Sequence, residues 1–314
     1  MKNKWLKGLV AMSLFGLLAA CGGAGTSETG TGETVVDSNE PLHVQFVPTN
    51  NDGTLEARSE EFAAYLSEQL GREVNVTVAT NFNTIVEAMV AGQVDIGIMP
   101  PAAFVQARNR GGAKAILTSQ LGGLDRETDL PVEGEYRDSF RAQILVRADS
   151  DMQTIEDLHG ANIGALAPAS ASGFIFPVVE MMNAGIDPLS DVTLVTVNDI
   201  PSGITGVLNG QLDATFVFEG ARNVFNGAFD NYDLMEDLRV LHVTEAAIPN
   251  DAIAVQPDMD PALIERIQEA FINMSETEEG REIIGLWGHQ SYTLTNDSNY
   301  DTIQYFIDRA AELQ

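Results

Sequence analysis

Residues 74–108 read VNVTVATNFNTIVEAMVAGQVDIGIMPPAAFVQAR, and residues 192–224 read VTLVTVNDIPSGITGVLNGQLDATFVFEGARNV. Both segments run from a β-rich stretch through a polar turn into a helical stretch, which closes on Gly-Gln-apolar-Asp before a second strand. Strands that alternate with helices are typical of α/β folds with parallel sheets. Because the same order occurs twice, we expect a structural repeat and two similar α/β lobes.

Outward from the first segment, the pattern of apolar residues and turn residues predicts three strands and three helices. The strands span 42–48, 73–79 and 94–100, and the helices span 54–71, 83–92 and 102–111. We place one lobe in residues 41–145 plus 246–314 and the other in residues 146–245. Two crossings between the lobes predict a hinge and a central cleft, and such clefts bind small ligands.

Composition and charge limit the classes of partner. The chain has 314 residues, enough for about two domains, and 44% of them are hydrophobic. It carries 17 lysine and arginine residues against 46 acidic ones, a net charge of −29. Such a surface repels nucleic acid, so we expect no nucleic-acid partner. An anionic ligand would have to be held by local hydrogen-bond donors, because the overall field opposes its approach.

The N-terminal segment predicts export. Residues 1–20 hold three lysines followed by a short apolar run, a pattern typical of a signal peptide. Cys21 is the only cysteine, so it forms no internal disulfide, and the segment resembles a bacterial lipoprotein signal in which that cysteine is lipidated. Residues 21–40 are rich in Gly, Ser, Thr and acids and predict a flexible tether. We therefore expect a lipid anchor on the extracytoplasmic face of the cell membrane.

A serine-rich segment between a predicted strand and a predicted helix is the first candidate site. It lies in GALAPASASGFIFPVVEMMNAG, residues 164–185, and contains Ser170, Ala171, Ser172 and Gly173. Free N–H groups and the helix dipole attract an oxyanion at such a point, and the hydroxyl groups add donors. The alternative is an ordinary helix N-cap. Pro177 either opens a helix that starts later or kinks one that starts at Ser172.

Turns after the predicted strands supply further candidates, because ligands of open α/β sheets lie at the carboxyl ends of strands. These candidates are Thr49, Phe82, Phe104, Asn198, Asp199 and Glu219. The two phenylalanines would provide apolar walls for a ligand, or would belong to the core. Glu219 would accept a hydrogen bond from a ligand ammonium or a protonated oxygen, or would be a solvated surface acid.

Motifs for catalysis are missing from the sequence. It has no nucleophile elbow, no phosphate-binding Gly-Lys loop and no dinucleotide fingerprint. The four histidines are scattered without metal-ligand spacing. We therefore expect no enzyme activity, no catalytic residues, no metal and no cofactor.

Four stretches carry a resemblance to a known family. TIVEAMVAGQVDIGIMPPAAFVQA, TIEDLHGANIGALAPASASGFIFP, IPNDAIAVQPDMDPALIERI and NDSNYDTIQ resemble the phosphate/phosphite/phosphonate-type substrate-binding proteins of ABC importers. The resemblance runs from about residue 41 to the C-terminus. It implies a two-lobed type II periplasmic-binding fold, a phosphorus oxyanion held at Ser170–Gly173, and an ABC permease in the membrane as partner.

Departures from the family pattern leave the ligand open. Phe104 stands where the family often has tyrosine, and Asn198 beside Asp199 stands where some members have histidine. Glu219 matches the position that faces the amine in aminoalkylphosphonate binders. The ligand could be phosphonate, phosphite, phosphate or a phosphorylated organic compound such as a thiamine phosphate. A signalling or adhesion lipoprotein on the same scaffold is the alternative of another class. We expect a monomer.

Overall fold

The computed structural model describes residues 40–47 and 55–313, which are built around two β-sheets. The strands are β1 (Leu42–Phe46), β2 (Val74–Val78), β3 (Ile96–Met99), β4 (Lys114–Leu124), β5 (Pro131–Arg137), β6 (Ser139–Phe140), β7 (Ala142–Arg147), β8 (Asn162–Ala165), β9 (Thr193–Thr196), β10 (Ala214–Phe218), β11 (Leu238–Val243), β12 (Ile248–Pro249), β13 (Ala252–Val255) and β14 (Ser291–Leu294). The helices are α1 (Leu55–Leu70), α2 (Phe82–Val90), α3 (Pro101–Asn109), α4 (Phe176–Asn183), α5 (Ile200–Leu208), α6 (Ala221–Phe225), α7 (Leu234–Asp237), α8 (Pro261–Met274), α9 (Glu278–Ile284) and α10 (Asp301–Ala311). The three strands and three helices predicted around the first repeat segment are confirmed, with small differences at their ends.

The two sheets share one arrangement of strands. The first has the order β14-β4-β13-β3-β1-β2, with β5 paired to β4, and the second has the order β11-β7-β10-β8-β9. Each holds three parallel strands, β2-β1-β3 or β9-β8-β10, followed by an antiparallel one, β13 or β7. The predicted structural repeat is therefore confirmed.

The Gly-Gln-apolar-Asp motif has the same physical role in both copies. The amide of Asp95 donates to the carbonyl of His43 (2.8 Å), and its carboxylate accepts from the amide of His43 (2.7 Å). Asp213 makes the same pair of bonds to Asn162, both at 2.8 Å. Each aspartate thereby ties the strand that follows it to the first or second residue of a neighbouring parallel strand.

Turn chemistry at both ends of α2 and α5 also repeats. Asn81 before α2 and Asp199 before α5 each accept, through the side chain, from the amide three residues on, at 3.0 and 2.7 Å. Gly92 and Gly210 follow the two helices with φ of 66° and 69°, a left-handed conformation that glycine adopts without strain.

The chain crosses between the sheets more than once. β7 and β11 lie in the second sheet, whereas β13 and β14 return to the first. The short antiparallel pair β6 and β12 lies on the two crossing segments. β7 begins at Ala142, so the second sheet starts a few residues before the boundary we placed after residue 145. The residue bounds of the two lobes and the position of a hinge remain predictions.

A hairpin that the sequence analysis did not identify, β4–β5, leaves the first sheet and contacts the second. Its connecting loop contains Asp129, which is buried and has a φ of 63°. The Asp129 carboxylate lies 3.3 Å from Arg222 Nε and accepts from Gln143 Nε2 at 3.1 Å. Gly123 within β4 is required by packing, because a Cβ there would lie 2.4 Å from the Cβ of Glu135.

One apolar cluster joins helices attached to both sheets. Phe176 of α4 stacks on Phe306 of α10 with ring centroids 4.0 Å apart and an interplanar angle of 5°. Phe104 of α3 packs on Tyr300, 4.7 Å between centroids, in the same cluster. The C-terminal helix α10 therefore holds α4 in place. Among the described residues, no helix has the length and apolar character needed to cross a membrane.

We expect Phe306→Ala to lower the free energy of unfolding by about 3–5 kcal/mol, because it removes a buried ring and leaves a cavity. Chemical denaturation would measure this loss. Tyr305→Ala is the matched control: its ring is 58% exposed, so we expect a loss below about 1 kcal/mol. Equal losses in the two variants would contradict the role of the Phe176–Phe306 stack.

Candidate ligand-binding site

The serine-rich segment forms the first turn of a helix. Ser170 is its N-cap, and its Oγ accepts from the amide of Gly173 at 3.1 Å. Gly173 is buried, and a Cβ at this position would lie 2.5 Å from Leu166 Cδ1. The close contact that requires this glycine is therefore with Leu166. Ser170 serves as the N-cap that we considered as the alternative, whereas the Ser172 hydroxyl makes no hydrogen bond within the described part of the chain.

Pro177 explains the unusual shape of this turn. Proline has no N–H, so it cannot bond to the carbonyl of the fourth preceding residue, Gly173. That carbonyl accepts instead from the amide of Leu166 at 2.9 Å. The preceding turn, Ala171–Ile175, widens to a π-helical turn in which the Ile175 amide bonds to the Ser170 carbonyl at 2.9 Å. π-Turns occur often at functional sites. Both predicted alternatives hold in part: the α-helix begins at Phe176, and a wider turn precedes it.

A cavity of about 590 Å³ opens beside this turn. Its polar side chains include Ser172, Arg137, Glu219, Asn223, Asn250, Asp251 and His289. Its apolar walls include Leu124, Phe218, Phe225 and Trp287. The lining comes from both sheets, since Arg137 ends β5 of the first and Phe218 ends β10 of the second.

Of the predicted site residues that the structure describes, the cavity brings together Ser172 and Glu219. Phe104 is fully buried against Tyr300, and Phe82 packs on the same core cluster, so neither ring lines the cavity. Asn198 and Asp199 are exposed, and Asp199 is used as a helix cap. Ala171 is buried in the apolar cluster behind the turn. Thr49, like the predicted lipidation site Cys21, lies outside the described residues.

Glu219 is a buried carboxylate with partners, not a solvated acid. Its side chain is 4% exposed, and Oε2 accepts from Arg137 Nη1 at 2.8 Å and from the Arg141 amide at 3.2 Å. Oε1 lies 3.8 Å from Nε of the exposed Arg126. Burial lowers the pKa of the Arg137 guanidinium below its ordinary value, and the charges of Glu219 and Asp129 oppose that shift.

Several residues of the cavity were not predicted from the sequence. Asn250 and Asp251 follow β12, and the Asn250 amide nitrogen donates to the carbonyls of Ser119 (3.0 Å) and Arg137 (2.8 Å). Asp251 Oδ2 lies 3.5 Å from Nε2 of the buried His289. The stretch IPNDAIAV carried part of the family resemblance, and its Asn-Asp pair between two apolar runs was an available signal. His289 had no comparable signal, because it enters the cavity only through the packing of β14 on β4.

Among the described residues, no cluster of His, Cys, Asp or Glu has the geometry to hold a metal ion. The polar groups of the cavity are hydrogen-bond donors and acceptors, and Arg137 and Glu219 form an ion pair among them. Such an arrangement can orient a small polar ligand.

A buried carboxylate anchors α4, the helix that carries the serine-rich turn. Glu180 Oε1 accepts from the amide of Glu245 at 3.0 Å, and Oε2 lies 3.2 Å from His242 Nε2. Burial alone would raise the pKa of Glu180, but the hydrogen bonds from His242 and the Glu245 amide outweigh it, and the pKa lies below its ordinary value. These bonds join α4 to the segment that leads from β11 back to the first sheet.

We expect Ser170→Ala to lower the free energy of unfolding by about 1 kcal/mol, because it removes the N-cap bond to the Gly173 amide. Denaturant titration would measure the change. Ser172→Ala is the matched control, since its hydroxyl has no partner among the described residues and its loss should leave stability nearly unchanged. A larger loss from Ser172→Ala would refute this division of roles.

The lowered pKa of Glu180 predicts a pH-dependent contribution to stability. A carboxyl group whose pKa is lower in the folded state stabilises the fold above its ordinary pKa, 4.5, and loses this contribution as the pH falls through the folded value. We therefore expect the stability difference between wild type and Glu180→Gln to shrink as the pH falls below that value. Urea denaturation at neutral and acidic pH would measure it. The exposed Glu236→Gln serves as control, and a difference independent of pH would disprove the assignment.

Comparisons with known proteins identify the family to which the chain belongs. The family described as the periplasmic substrate-binding protein of phosphonate ABC transporters matches residues 44–300. The phosphate-import protein PhnD of Mycolicibacterium smegmatis is 24% identical over 312 residues, covering 93% of this chain and 92% of that protein. A crystal structure of a binding protein component of an ABC phosphonate transporter from Pseudomonas aeruginosa superposes with a TM-score of 0.68 at 15% identity, covering 88% of both chains. PhnD1 from Prochlorococcus marinus, solved with methylphosphonate, gives 0.66 at 17% identity, covering 87% of this chain and 99% of that one.

The likeness to these structures confirms the predicted two-lobed α/β architecture of the type II periplasmic-binding class. The match to the family covers most of the chain, including both sheets and the serine-rich turn. The protein therefore belongs to the family of periplasmic substrate-binding proteins of phosphonate ABC transporters.

Proposed function

We propose that this protein captures a small phosphorus oxyanion in the cavity beside Ser172 and delivers it to an ABC permease. The observation that carries the proposal is Ser172 itself. Its hydroxyl has no partner among the described residues, it lines the cavity, and it lies in the first turn of a helix. Backbone N–H groups in a first turn lack intrahelical partners and, with the helix dipole, attract an anion.

The negative net charge of the chain favours a site in which directed hydrogen-bond donors bind the anion. The chain has a net charge of −29, so long-range attraction cannot concentrate an anion at the cavity. Affinity would come from short-range hydrogen bonds to the oxygen atoms, which also select for tetrahedral geometry. Closing the cavity around the ligand would exclude water and strengthen each of these bonds.

The relatives support the same ligand class. The Mycolicibacterium smegmatis protein is named for phosphate import, and the Prochlorococcus marinus structure contains methylphosphonate. These ligands share a tetrahedral phosphorus with several oxygen acceptors. The family is one of transport receptors and not of enzymes, which agrees with the motifs missing from the sequence.

We propose further that the protein is exported, anchored to the membrane through a lipid on Cys21, and monomeric. The support for the anchor is the sequence pattern around Cys21 alone. An anchored receptor would deliver its ligand to the permease without diffusing away from the membrane.

We expect Ser172→Ala to weaken binding of the preferred oxyanion by about 1–3 kcal/mol, because a donor to a charged group is lost. Titration calorimetry with phosphate, phosphite, methylphosphonate and 2-aminoethylphosphonate would first identify that ligand in the wild type. Ser190→Ala, at an exposed position, is the matched control and should leave affinity unchanged.

Two results would count against the proposal. Unchanged affinity in Ser172→Ala would remove this residue from the site. No binding of any of the four compounds by the wild type would favour an adhesion or signalling role for the same fold.

A further inference from the structure

One wall of the cavity carries an unusual charge arrangement. The carboxylate of Glu219 faces two guanidinium groups, Arg137 at 2.8 Å and Arg126 at 3.8 Å. The adjacent buried carboxylate, Asp129, is already paired with Arg222 at 3.3 Å. Of these five groups, Glu219 and Arg137 line the cavity, and Arg137 is the one guanidinium of its lining among the described residues.

The carboxylate of Glu219 is a poor site for a ligand ammonium. Its Oε2 already accepts from Arg137 and from the Arg141 amide. An ammonium at Oε2 would have to displace a half-buried guanidinium, and one at Oε1, which accepts no hydrogen bond from the described residues, would lie beside two guanidinium groups. Separating a buried ion pair by removing one partner is costly, because it leaves an uncompensated charge.

Arg137 retains unused donors. A guanidinium has five N–H bonds. In Arg137 one goes from Nε to the Gly122 carbonyl (3.1 Å), one from Nη1 to the Glu219 carboxylate (2.8 Å), and one from Nη2 to the Glu219 carbonyl (3.4 Å). Two N–H bonds remain on a side chain that lines the cavity. A planar guanidinium held at three points is well oriented to donate to a carboxylate.

The other ionisable groups of the cavity are Asp251 and His289. Asp251 is the cavity carboxylate that has no guanidinium partner among the described residues, and its Oδ2 lies 3.5 Å from His289 Nε2. A ligand ammonium, if it bound, would therefore meet Asp251 before Glu219. The two carboxylates can be tested separately, because they contact different partners.

We propose that Arg137 is a specificity-determining residue that recognises a second oxyanion on the ligand, so that the cavity prefers phosphonates with a terminal carboxylate over those with a terminal amine. This inference rests on the proposed function, with the phosphorus group at Ser172. Glu219 is then a positioning residue, which orients Arg137 and has no direct contact with the ligand.

The experiment uses the full chain and three phosphonates that share a two-carbon linker: 3-phosphonopropionate, 2-aminoethylphosphonate and propylphosphonate. Titration calorimetry gives the ratio of affinities for the carboxylate and the amine. We expect the wild type to bind 3-phosphonopropionate more tightly than either other compound. In Arg137→Gln we expect the carboxylate-to-amine ratio to fall at least about ten-fold, because the donors to a charged group are lost.

Matched variants separate Arg137 from its neighbours. Arg126 is exposed, lies near the Glu219 carboxylate and does not line the cavity. We therefore expect Arg126→Gln to leave the affinity ratio unchanged. Glu219→Gln keeps a side-chain oxygen that can accept from Arg137 Nη1 and should retain the preference for the carboxylate, whereas Glu219→Ala removes that acceptor and should lower the ratio. Asp251→Asn tests whether residual amine binding depends on the other carboxylate. Thermal unfolding of each variant reports whether it folds. If Arg137→Gln does not fold, the wild-type affinity ratio and the ratio in Glu219→Gln still decide between Arg137 and Glu219 as the ligand contact.

A wild type that prefers the amine, with that preference lost in Glu219→Gln, would overturn the inference and make Glu219 the ligand contact. An unchanged ratio in folded Arg137→Gln would also overturn it. Methylphosphonate has no substituent that could reach Arg137, so its binding reports on the proposed function alone. Binding of methylphosphonate without discrimination among the three longer compounds would leave the proposed function standing and remove only the role of Arg137.

Discussion

A cavity that receives an anion needs positive charge or directed donors, and this chain has only 17 basic residues against 46 acidic ones. The structure places one of those basic residues, Arg137, in the cavity and fixes it by contacts with Glu219 and the Gly122 carbonyl. A guanidinium held in this way loses little conformational freedom when a ligand binds. The same contacts compensate the negative charge of Glu219, a carboxylate that lines the cavity.

The hydrogen-bond partners in the serine-rich turn separate two residues that look equivalent in the sequence. The Ser170 hydroxyl accepts a hydrogen bond from the Gly173 amide and caps the helix. The Ser172 hydroxyl makes no hydrogen bond to the described residues, and Ser172 lines the cavity. Pro177 is part of the same arrangement. Because Pro177 has no N–H to donate, the carbonyl of Gly173 accepts from the amide of Leu166 instead, and a π-helical turn precedes α4.

Parts of the fold could be predicted because their causes are local. The repeated Gly-Gln-apolar-Asp motif predicted matching lobes, and the structure shows why: Asp95 and Asp213 each bond to the backbone of a neighbouring parallel strand. The hairpin β4–β5 was not predicted from the sequence. Gly123 lies within its first strand, and Glu135 of the second strand approaches too closely for any side chain at this position, a contact that only the tertiary structure shows.

Candidate residues were harder to predict than elements. Phe104 and Asp199 follow strands as ligand residues do, yet one packs on Tyr300 and the other caps a helix. Position after a strand puts a residue near one edge of a sheet but does not determine where its side chain points.

The sequence by itself determined the α/β class, the repeat, the family and the serine-rich turn, because these depend on periodicity and on residues close in the chain. The tertiary structure decided which side chains share the cavity. Arg137, Glu219 and Asp251 come from segments far apart in sequence, and they meet only because the crossing strands β6 and β12 bring the ends of β5, β10 and β13 together. Pairing of this kind depends on contacts across the whole fold, so no single stretch of residues can reveal it.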